Sequence, residues 1–201
     1  VYGSPKRLPL DETHPTEPIS PYGRTKRAVE WMLEDFGSAY NLKTVALRFF
    51  NAAGSWHEYG LGEKHLPETH LIPKLITAAL HKKPLEIFGS DYPTPDGTCI
   101  RDFVSVGDSA LAHLLTLRYL EHGGTSTAFN LGSQRGYSIL NIVHELEQLL
   151  QIRIALIQRP RRAGDPAILI ADASRAKQIL SWQPTESLKT ILHQAVTWHI
   201  K

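Results

Sequence analysis

The chain has 201 residues, of which 42% are hydrophobic and 21% charged, and its formal net charge is +2. This length suffices for one large domain or two small ones, and the composition excludes a disordered chain or a polyelectrolyte tail. A single cysteine, Cys99, excludes a disulfide framework and a cysteine-rich zinc module, and it favours a reducing compartment such as the cytoplasm. Because the sequence contains no apolar run of about 18 residues, we expect no membrane span.

The chain begins with Val1-Tyr2-Gly3, and its one methionine is Met32. This start has no initiator methionine and lacks the basic and apolar regions of a signal peptide. We therefore expect the sequence to be a piece of a longer protein.

The first predicted element is a long helix. Five prolines within residues 1–21 predict an irregular loop, which Ser20 and Pro21 end, because Ser is a favoured N-cap and Pro a favoured first helical residue. Apolar residues at helical spacing extend the helix to about residue 40 and predict one buried face: Val29, Met32, Leu33, Phe36 and Tyr40.

The rest of the chain alternates strands with helices. We predict strands over 43–51, 85–88, 98–106, 128–131 and 153–158, helices over 71–83, 108–122, 138–150, 173–181 and 187–200, and loops over 52–68 and 90–97. The first of these strands is continuously apolar, which predicts burial on both faces. The alternation, without repeats, predicts an α/β fold with a parallel or mixed sheet. The first strands and glycine-rich turn of such a fold would precede Val1.

A tyrosine and a lysine stand four residues apart at Tyr22 and Lys26, so a helix places both on one face. A nearby ammonium favours the phenolate form of a tyrosine, which can then accept a proton from a sugar hydroxyl. Tyr2 and Lys6 have the same spacing, but in a proline-containing loop. Positions 22, 26, 29 and 33 lie along one side of the predicted helix, so we expect Tyr22 and Lys26 to continue its buried apolar face. A surface pair in a first helical turn stays the alternative.

Arginines supply candidate anion ligands. Arg101 lies within an apolar strand, where a charge is costly unless paired, so its partner is either Asp102 or a bound phosphate. Adjacent strand residues point to opposite faces, which counts against Asp102. Arg159, Arg161 and Arg162 follow another strand and form either a phosphate site or a solvated basic loop. Nucleic-acid binding is disfavoured by the nearly neutral net charge.

Histidines and glutamates recur in the loop that precedes the second predicted helix. They are His57, Glu58, Glu63, His65, Glu68 and His70. Their irregular spacing matches no helical zinc motif, so it favours a solvated loop, and we predict no metal site.

Five stretches point to one family when they are taken together and in this order. They are PYGRTK (21–26), LRFFNAAG (47–54), ETHLIP (68–73), IFGSDYPTPDGTCIRDF (87–103) and RRAGDP (161–166). This set resembles the UDP-glucose 4-epimerase family of extended short-chain dehydrogenases/reductases. The resemblance implies that residues 1–53 are the C-terminal part of an NAD-binding, Rossmann-type doubly wound domain. Residues 54–201 would form a smaller α/β UDP-sugar-binding domain, with the segment near 98–106 returning to the first.

The resemblance also implies an activity: NAD-dependent interconversion of UDP-glucose and UDP-galactose through a 4-keto sugar, a step of galactose metabolism. Tyr22 would accept the proton of the 4-hydroxyl, Lys26 would bind the nicotinamide ribose, and Phe50 would pack near the nicotinamide. Contacts to the UDP-hexose would come from Asn51, His70, Leu71, Glu86, Ile87, Phe88, Arg101, Arg162 and Asp165. Leu169 matches the position whose size limits entry of N-acetylated sugars, and its medium size favours UDP-glucose and UDP-galactose.

Parts of the family pattern have no counterpart in this sequence. The glycine-rich turn and the Ser/Thr that binds the sugar hydroxyl would precede Val1, so we assign those roles to no residue and expect the chain alone neither to retain NAD nor to epimerise. The family forms homodimers through helices that include the one carrying Tyr22, and we expect the same here. Another nucleotide-sugar epimerase or dehydratase of this fold, or a non-catalytic nucleotide-sugar-binding module, stays an alternative.

Overall fold

The structure, a computed structural model, describes residues 1–200. Its helices are α1 (Pro21–Tyr40), α2 (Leu71–Leu80), α3 (Val106–Glu121), α4 (Ile139–Leu150), α5 (Ser174–Leu180) and α6 (Leu188–Ile200). Its strands are β1 (Val45–Phe49), β2 (Asn51–Ala53), β3 (Leu85–Phe88), β4 (Ile100–Arg101), β5 (Phe103–Ser105), β6 (Thr127–Leu131), β7 (Tyr137–Ser138), β8 (Leu156–Arg159) and β9 (Ile168–Leu169). None of the helices within residues 1–200 combines the length and apolar content of a membrane span.

The strands form small, mainly parallel groups. β1 pairs with β6, β2 with β5 and β3 with β8, all in parallel, while β4 lies between antiparallel β7 and parallel β9. Helix α3 follows β5 and packs on it and on β1, within the connection between the parallel strands β1 and β6. Helix α5 follows β9 and packs on β6. The predicted α/β class, with its Rossmann-type parallel pairing, is confirmed.

Two of the predicted strands are divided. The predicted strand over 43–51 becomes β1 and β2, and the one over 98–106 becomes β4 and β5, separated by Asp102. Both breaks are changes of partner, because β1 pairs with β6 and β2 with β5, while β4 pairs with β7 and β9 and β5 with β2. At the first break, Phe50 donates its backbone N–H to Leu131 at 3.0 Å and Asn51 donates to Asp102 at 3.0 Å. A single periodic pattern therefore covers two strands that pair with different neighbours.

The buried apolar residues form two clusters. The larger one lies between α2, α4, α6 and β3 and includes Leu75 and Ile142, both fully buried. The smaller one surrounds Phe129 and Trp182, also fully buried, between β6, α3 and α5. The Trp182 indole donates to the Asp108 carbonyl at 2.8 Å, so its one polar atom is satisfied inside the core.

Helix α1 begins as predicted, with the Ser20 hydroxyl accepting from the Gly23 N–H at 3.1 Å. The predicted burial of its apolar face is wrong: the exposed fractions of Val29, Met32, Phe36 and Tyr40 lie between 48% and 74%. The residues that α1 does bury are Gly23 and Glu30. Periodicity predicted a helix correctly, but no element within residues 1–200 covers the apolar stripe.

Candidate functional site

A cleft of about 960 Å³ lies between α1, β1–β2, the start of α2, β3 and the segment around β9. Thirteen residues carried predicted roles, and every one of them lines this cleft: Tyr22, Lys26, Phe50, Asn51, His70, Leu71, Glu86, Ile87, Phe88, Arg101, Arg162, Asp165 and Leu169. They come from five separate stretches of sequence, so the fold brings them together. Their individual roles stay predictions.

Tyr22 and Lys26 lie in the first turns of α1, on the same side of the helix. The Lys26 Nζ is 5.3 Å from the centroid of the Tyr22 ring, as the four-residue spacing predicts. Tyr22 is 73% exposed and Lys26 is exposed as well, so the expected burial of this pair is wrong and the alternative, a surface pair in the first helical turn, is what the structure shows. Both side chains line the open cleft. A substrate hydroxyl can therefore reach the phenol beside its ammonium.

Arg101 is buried within β4 and bonded through its guanidinium. It donates to the Asp165 carboxylate, to the Pro166 carbonyl at 2.8 Å and to the Ile100 carbonyl at 2.7 Å. The alternative of an ion pair with Asp102 is wrong, since that neighbour points to the opposite face of the strand. These bonds use three of the five guanidinium donors and hold the side chain in one position at the cleft wall.

Arg162 differs from the other two arginines that line the cleft. Its guanidinium lies 3.8 Å from the centroid of the Phe88 ring. Arg48 pairs with Glu30 and Arg101 with Asp165, whereas Arg162 forms no ion pair within residues 1–200. Stacking on an aromatic ring orients the planar guanidinium and leaves its edge donors available to an anion.

The neighbouring arginines match the alternative of a solvated basic loop. Arg159 pairs with Glu86 at 2.6 Å, and Arg161 pairs with Asp91 at 2.7 Å while stacking over Tyr92. Neither arginine lines the cleft. Of the three arginines at the end of β8 and just after it, two form surface ion pairs and only Arg162 keeps its guanidinium free of an ion pair within residues 1–200.

A buried polar network in the cleft was missed by the sequence analysis. Arg48 donates to both Glu30 carboxylate oxygens at 2.8 Å and to the Tyr2 hydroxyl at 2.8 Å, and that hydroxyl donates to Asn130 at 2.6 Å. Burial raises the pKa of Glu30, but the hydrogen bonds and charges of Arg48 and Arg27 outweigh burial and hold it below its ordinary value. The sequence did contain a signal for this network, because Arg48 is a charged residue inside the apolar strand β1, as Arg101 is inside its own apolar strand.

The structural role of Asp102 was also missed. It is fully buried, and its carboxylate accepts from Ser133 N–H at 2.7 Å, Ser133 O–H at 2.6 Å, Gln134 N–H at 3.0 Å and Ala171 N–H at 3.1 Å. Burial raises its pKa, and these donors offset part of that rise. Its backbone carbonyl accepts from the Asn51 amide at 2.7 Å. Asp102 thus ties the break between β4 and β5 to two loops and to a residue of the cleft.

Three further residues with predicted roles lie on regular elements. His70 is the N-cap residue of α2 and Leu71 its first helical residue. Leu169 lies in β9 directly opposite Arg101 of β4. Each position is therefore fixed by backbone pairing or by a helix start.

Four side chains in the loop before α2 converge on one point. Ligand atoms of Glu63, His65, Glu68 and His70 all lie within 4.8 Å of one another, although their sequence spacing is irregular. Glu63 and His70 also line the cleft.

Comparison with known proteins identifies the family. Residues 1–195 match the family model described as GDP-mannose 4,6 dehydratase. The UDP-glucose 4-epimerase of Lacticaseibacillus casei is 45% identical over 201 residues, which cover 99% of this chain and 61% of that protein.

Solved structures give the same result. The UDP-glucose 4-epimerase from Brucella ovis in complex with NAD has a TM-score of 0.92 at 47% identity, covering 98% of this chain and 61% of that one. The enzyme from Bifidobacterium longum in complex with NAD⁺ and UDP has a TM-score of 0.91 at 34% identity, covering 100% and 61%. The chain therefore spans about three fifths of the length of these relatives. On the match of residues 1–195, this chain belongs to the GDP-mannose 4,6-dehydratase family, and within it resembles the UDP-glucose 4-epimerases.

Proposed function

We propose that the cleft is the UDP-hexose site of an NAD-dependent UDP-glucose 4-epimerase, of which this chain forms the C-terminal part of the NAD-binding domain (1–53) and the UDP-sugar-binding domain (54–201). The observation that carries the proposal is the convergence of all thirteen predicted residues on one cleft. It brings a tyrosine–lysine pair and an unpaired guanidinium into the same cavity, so proton transfer and anion binding can act on one substrate.

The residues present fit one portion of an NAD molecule. An ammonium (Lys26) and a half-buried aromatic ring (Phe50) face the same cleft, which is the donor set that a ribose and a flat nicotinamide require. Lys26 would donate to the ribose hydroxyls, and Phe50 would pack against the nicotinamide. Bound NAD supplies the hydride acceptor and donor for carbon 4 of the sugar.

Tyr22 would perform the proton chemistry. Its exposed phenol lies beside the Lys26 ammonium, which stabilises the phenolate. The phenolate would accept the proton of the sugar 4-hydroxyl as that carbon is oxidised, and the phenol would return a proton when the ketone is reduced from its other face. The proton and the hydride both return to the sugar, so the reaction changes only its configuration.

The diphosphate would bind at the arginines. Arg162 offers free guanidinium donors, and Arg101 is held rigidly by Asp165 with two donors left over. Glu86, Ile87 and Phe88 of β3 would border the uracil. Fixing the substrate through its anionic UDP portion leaves the hexose free to turn between the two hydride transfers, whereas a tight hexose pocket would prevent the turn.

The proposal also includes the substrate pair and the assembly. The medium size of Leu169 favours UDP-glucose and UDP-galactose, and comparable turnover of UDP-N-acetylgalactosamine would contradict this.

A homodimer would cover the exposed apolar stripe of α1. The molar mass of the active protein, measured by light scattering, tests this assembly. Cys99 is a free, buried thiol and fits a reducing compartment such as the cytoplasm.

The test is a chimera in which the segment of the Lacticaseibacillus casei relative that carries the glycine-rich turn and the Ser/Thr expected before Val1 is joined ahead of this chain. We expect it to interconvert UDP-glucose and UDP-galactose, and Tyr22→Phe to lower kcat by about 10²- to 10⁴-fold, because a proton-transfer group is lost. Tyr59→Phe is the matched control, since Tyr59 is equally exposed but lies outside the cleft. A Tyr22→Phe chimera with kcat within threefold of the parent would contradict the assignment.

A further inference from the structure

The loop that leads into α2 brings together two imidazoles and two carboxylates. The His65 Nδ1 lies 3.1 Å from a Glu63 carboxylate oxygen and 3.8 Å from one of Glu68. The His70 Nδ1 contacts the same Glu63 oxygen and lies 3.2 Å from Glu68. The two imidazole rings are 5.1 Å apart, and both present the same nitrogen to the carboxylates.

Three of these separations are close to those between the ligands of a tetrahedral Zn²⁺ ion, and the contact between His70 and Glu63 is shorter. Zn–N and Zn–O bonds of about 2.0 to 2.1 Å place tetrahedral ligand atoms about 3.3 Å apart. The distances of 3.1 Å from His65 to Glu63, 3.2 Å from His70 to one Glu68 oxygen and 3.8 Å from His65 to the other Glu68 oxygen lie around that value. One ligand atom from each of the four residues falls within 4.8 Å of the others. Two imidazole nitrogens with two carboxylate oxygens form a donor set that suits zinc and not the all-oxygen sites of Mg²⁺ or Ca²⁺.

Existing hydrogen bonds hold the Glu68 carboxylate and the main chain of Glu63 in place. One Glu68 oxygen accepts from the N–H groups of Thr69 at 2.7 Å and His70 at 2.8 Å, which fixes it at the start of α2. The Glu63 carbonyl accepts from the Trp198 indole at 2.8 Å, which fastens that residue to α6. Contacts of this kind, outside the ligand atoms, are what orients metal ligands in known sites.

Charge and access fit the same conclusion. With neutral imidazoles, the two carboxylates carry a charge of −2, which a divalent cation neutralises. The side chains of Glu63 and Glu68 are about one fifth exposed, whereas those of His65 and His70 are more than half exposed. An ion can therefore enter from solvent, and the carboxylates lie on the inner side.

We propose that Glu63, His65, Glu68 and His70 form a Zn²⁺ site at the edge of the cleft. The ion would join the loop before α2 to the N-cap residue of that helix, His70. Because Glu63 and His70 also line the cleft, the ion would fix the cleft wall at this point. The site does not depend on the proposed epimerase activity, and its test uses metal binding alone.

The experiment measures binding of Zn²⁺ to the untagged chain by competition with a chromogenic chelator, and of Co²⁺ by its visible absorption. We expect one equivalent of Zn²⁺ per chain, a tetrahedral Co²⁺ spectrum, and no competition from millimolar Mg²⁺. His65→Ala and Glu68→Gln should each weaken Zn²⁺ binding by about tenfold or more. Loss of a residue that only hydrogen-bonds a metal ligand already lowers metal affinity by about 10- to 100-fold, and loss of the ligand itself should cost no less. His81→Ala and Glu58→Gln are the matched controls, both at exposed positions outside the cluster, and should bind as the parent does.

Two results would overturn the proposal. One is failure of the folded parent chain, verified by circular dichroism, to bind an equivalent of Zn²⁺, which would leave only a network of histidine–glutamate hydrogen bonds. The other is unchanged Zn²⁺ affinity and Co²⁺ spectrum in both His65→Ala and Glu68→Gln, which would place the ion elsewhere.

Discussion

Asp102→Asn should destabilise the fold strongly, although it changes one atom of a side chain outside both apolar clusters. The carboxylate accepts four hydrogen bonds, two at each oxygen: Ser133 N–H and O–H at one, Gln134 N–H and Ala171 N–H at the other. An asparagine keeps one oxygen, so its amide NH₂ must face two donors whichever way it turns.

The expected magnitude follows from which donors lose their acceptor. If the asparagine oxygen keeps both Ser133 bonds, the N–H groups of Gln134 and Ala171 are left without a partner. A buried unsatisfied donor costs about 1 to 3 kcal/mol. Ala171 is fully buried and incurs the whole cost, whereas Gln134 is exposed and water can replace part of its bond. We therefore expect a loss of about 2 to 4 kcal/mol in the free energy of unfolding.

The assay is urea unfolding, followed by far-ultraviolet circular dichroism. The slope of the free energy of unfolding against urea concentration is compared between variants, because an unchanged slope shows that only stability has changed. Ser133→Ala removes only one of the four donors, the hydroxyl, and should cost about 1 kcal/mol. Asp35→Asn, at an exposed position on α1, should change stability by less than about 0.5 kcal/mol. If Asp102→Asn is no less stable than Asp35→Asn, the carboxylate does not hold the break between β4 and β5.

Two further predictions concern acid stability and the cofactor. The folded-state pKa of Glu30 lies below its ordinary value, so the stability from its ionised form is complete above the ordinary glutamate pKa of about 4.3 and is lost as pH falls through the lowered pKa. As the pH falls through that window, the melting temperature of Glu30→Gln should therefore fall less than that of the parent. Equal falls in the melting temperatures of the two proteins would contradict this prediction. The 201-residue chain, purified alone, should carry no NAD, because the proposed contacts of Lys26 and Phe50 would hold only one portion of the cofactor; one NAD per chain after denaturation would refute this prediction.

Local sequence signals predicted the elements whose causes are themselves local. Ser20 and Pro21 specify the start of α1 through capping, and alternation of helices and strands gave the α/β class. The four-residue spacing also placed Tyr22 and Lys26 on one helix face. The convergence of thirteen residues on one cleft was reached through the family resemblance, because no periodicity relates five separate stretches.

Features that depend on distant partners could not be predicted. Arg101 was recognised as a charge needing a partner, but that partner, Asp165, lies 64 positions away. The apolar stripe of α1 predicted burial, yet burial requires a second surface that residues 1–200 do not provide. The irregular spacing of Glu63 and His70 suggested a solvated loop, since only the folded loop shows that their ligand atoms meet.

The central claim, that the cleft binds the diphosphate of a UDP-sugar, is tested most directly by calorimetric titration of UDP into the chain and into Arg162→Ala. A charge-assisted hydrogen bond contributes about 1.5 to 3 kcal/mol, so Arg162→Ala should weaken UDP binding by about 10- to 100-fold. Arg161→Ala should bind as the parent does, because Asp91 already engages that guanidinium outside the cleft. Equal affinities of the parent and Arg162→Ala for UDP, or no binding by the folded parent, would contradict the account.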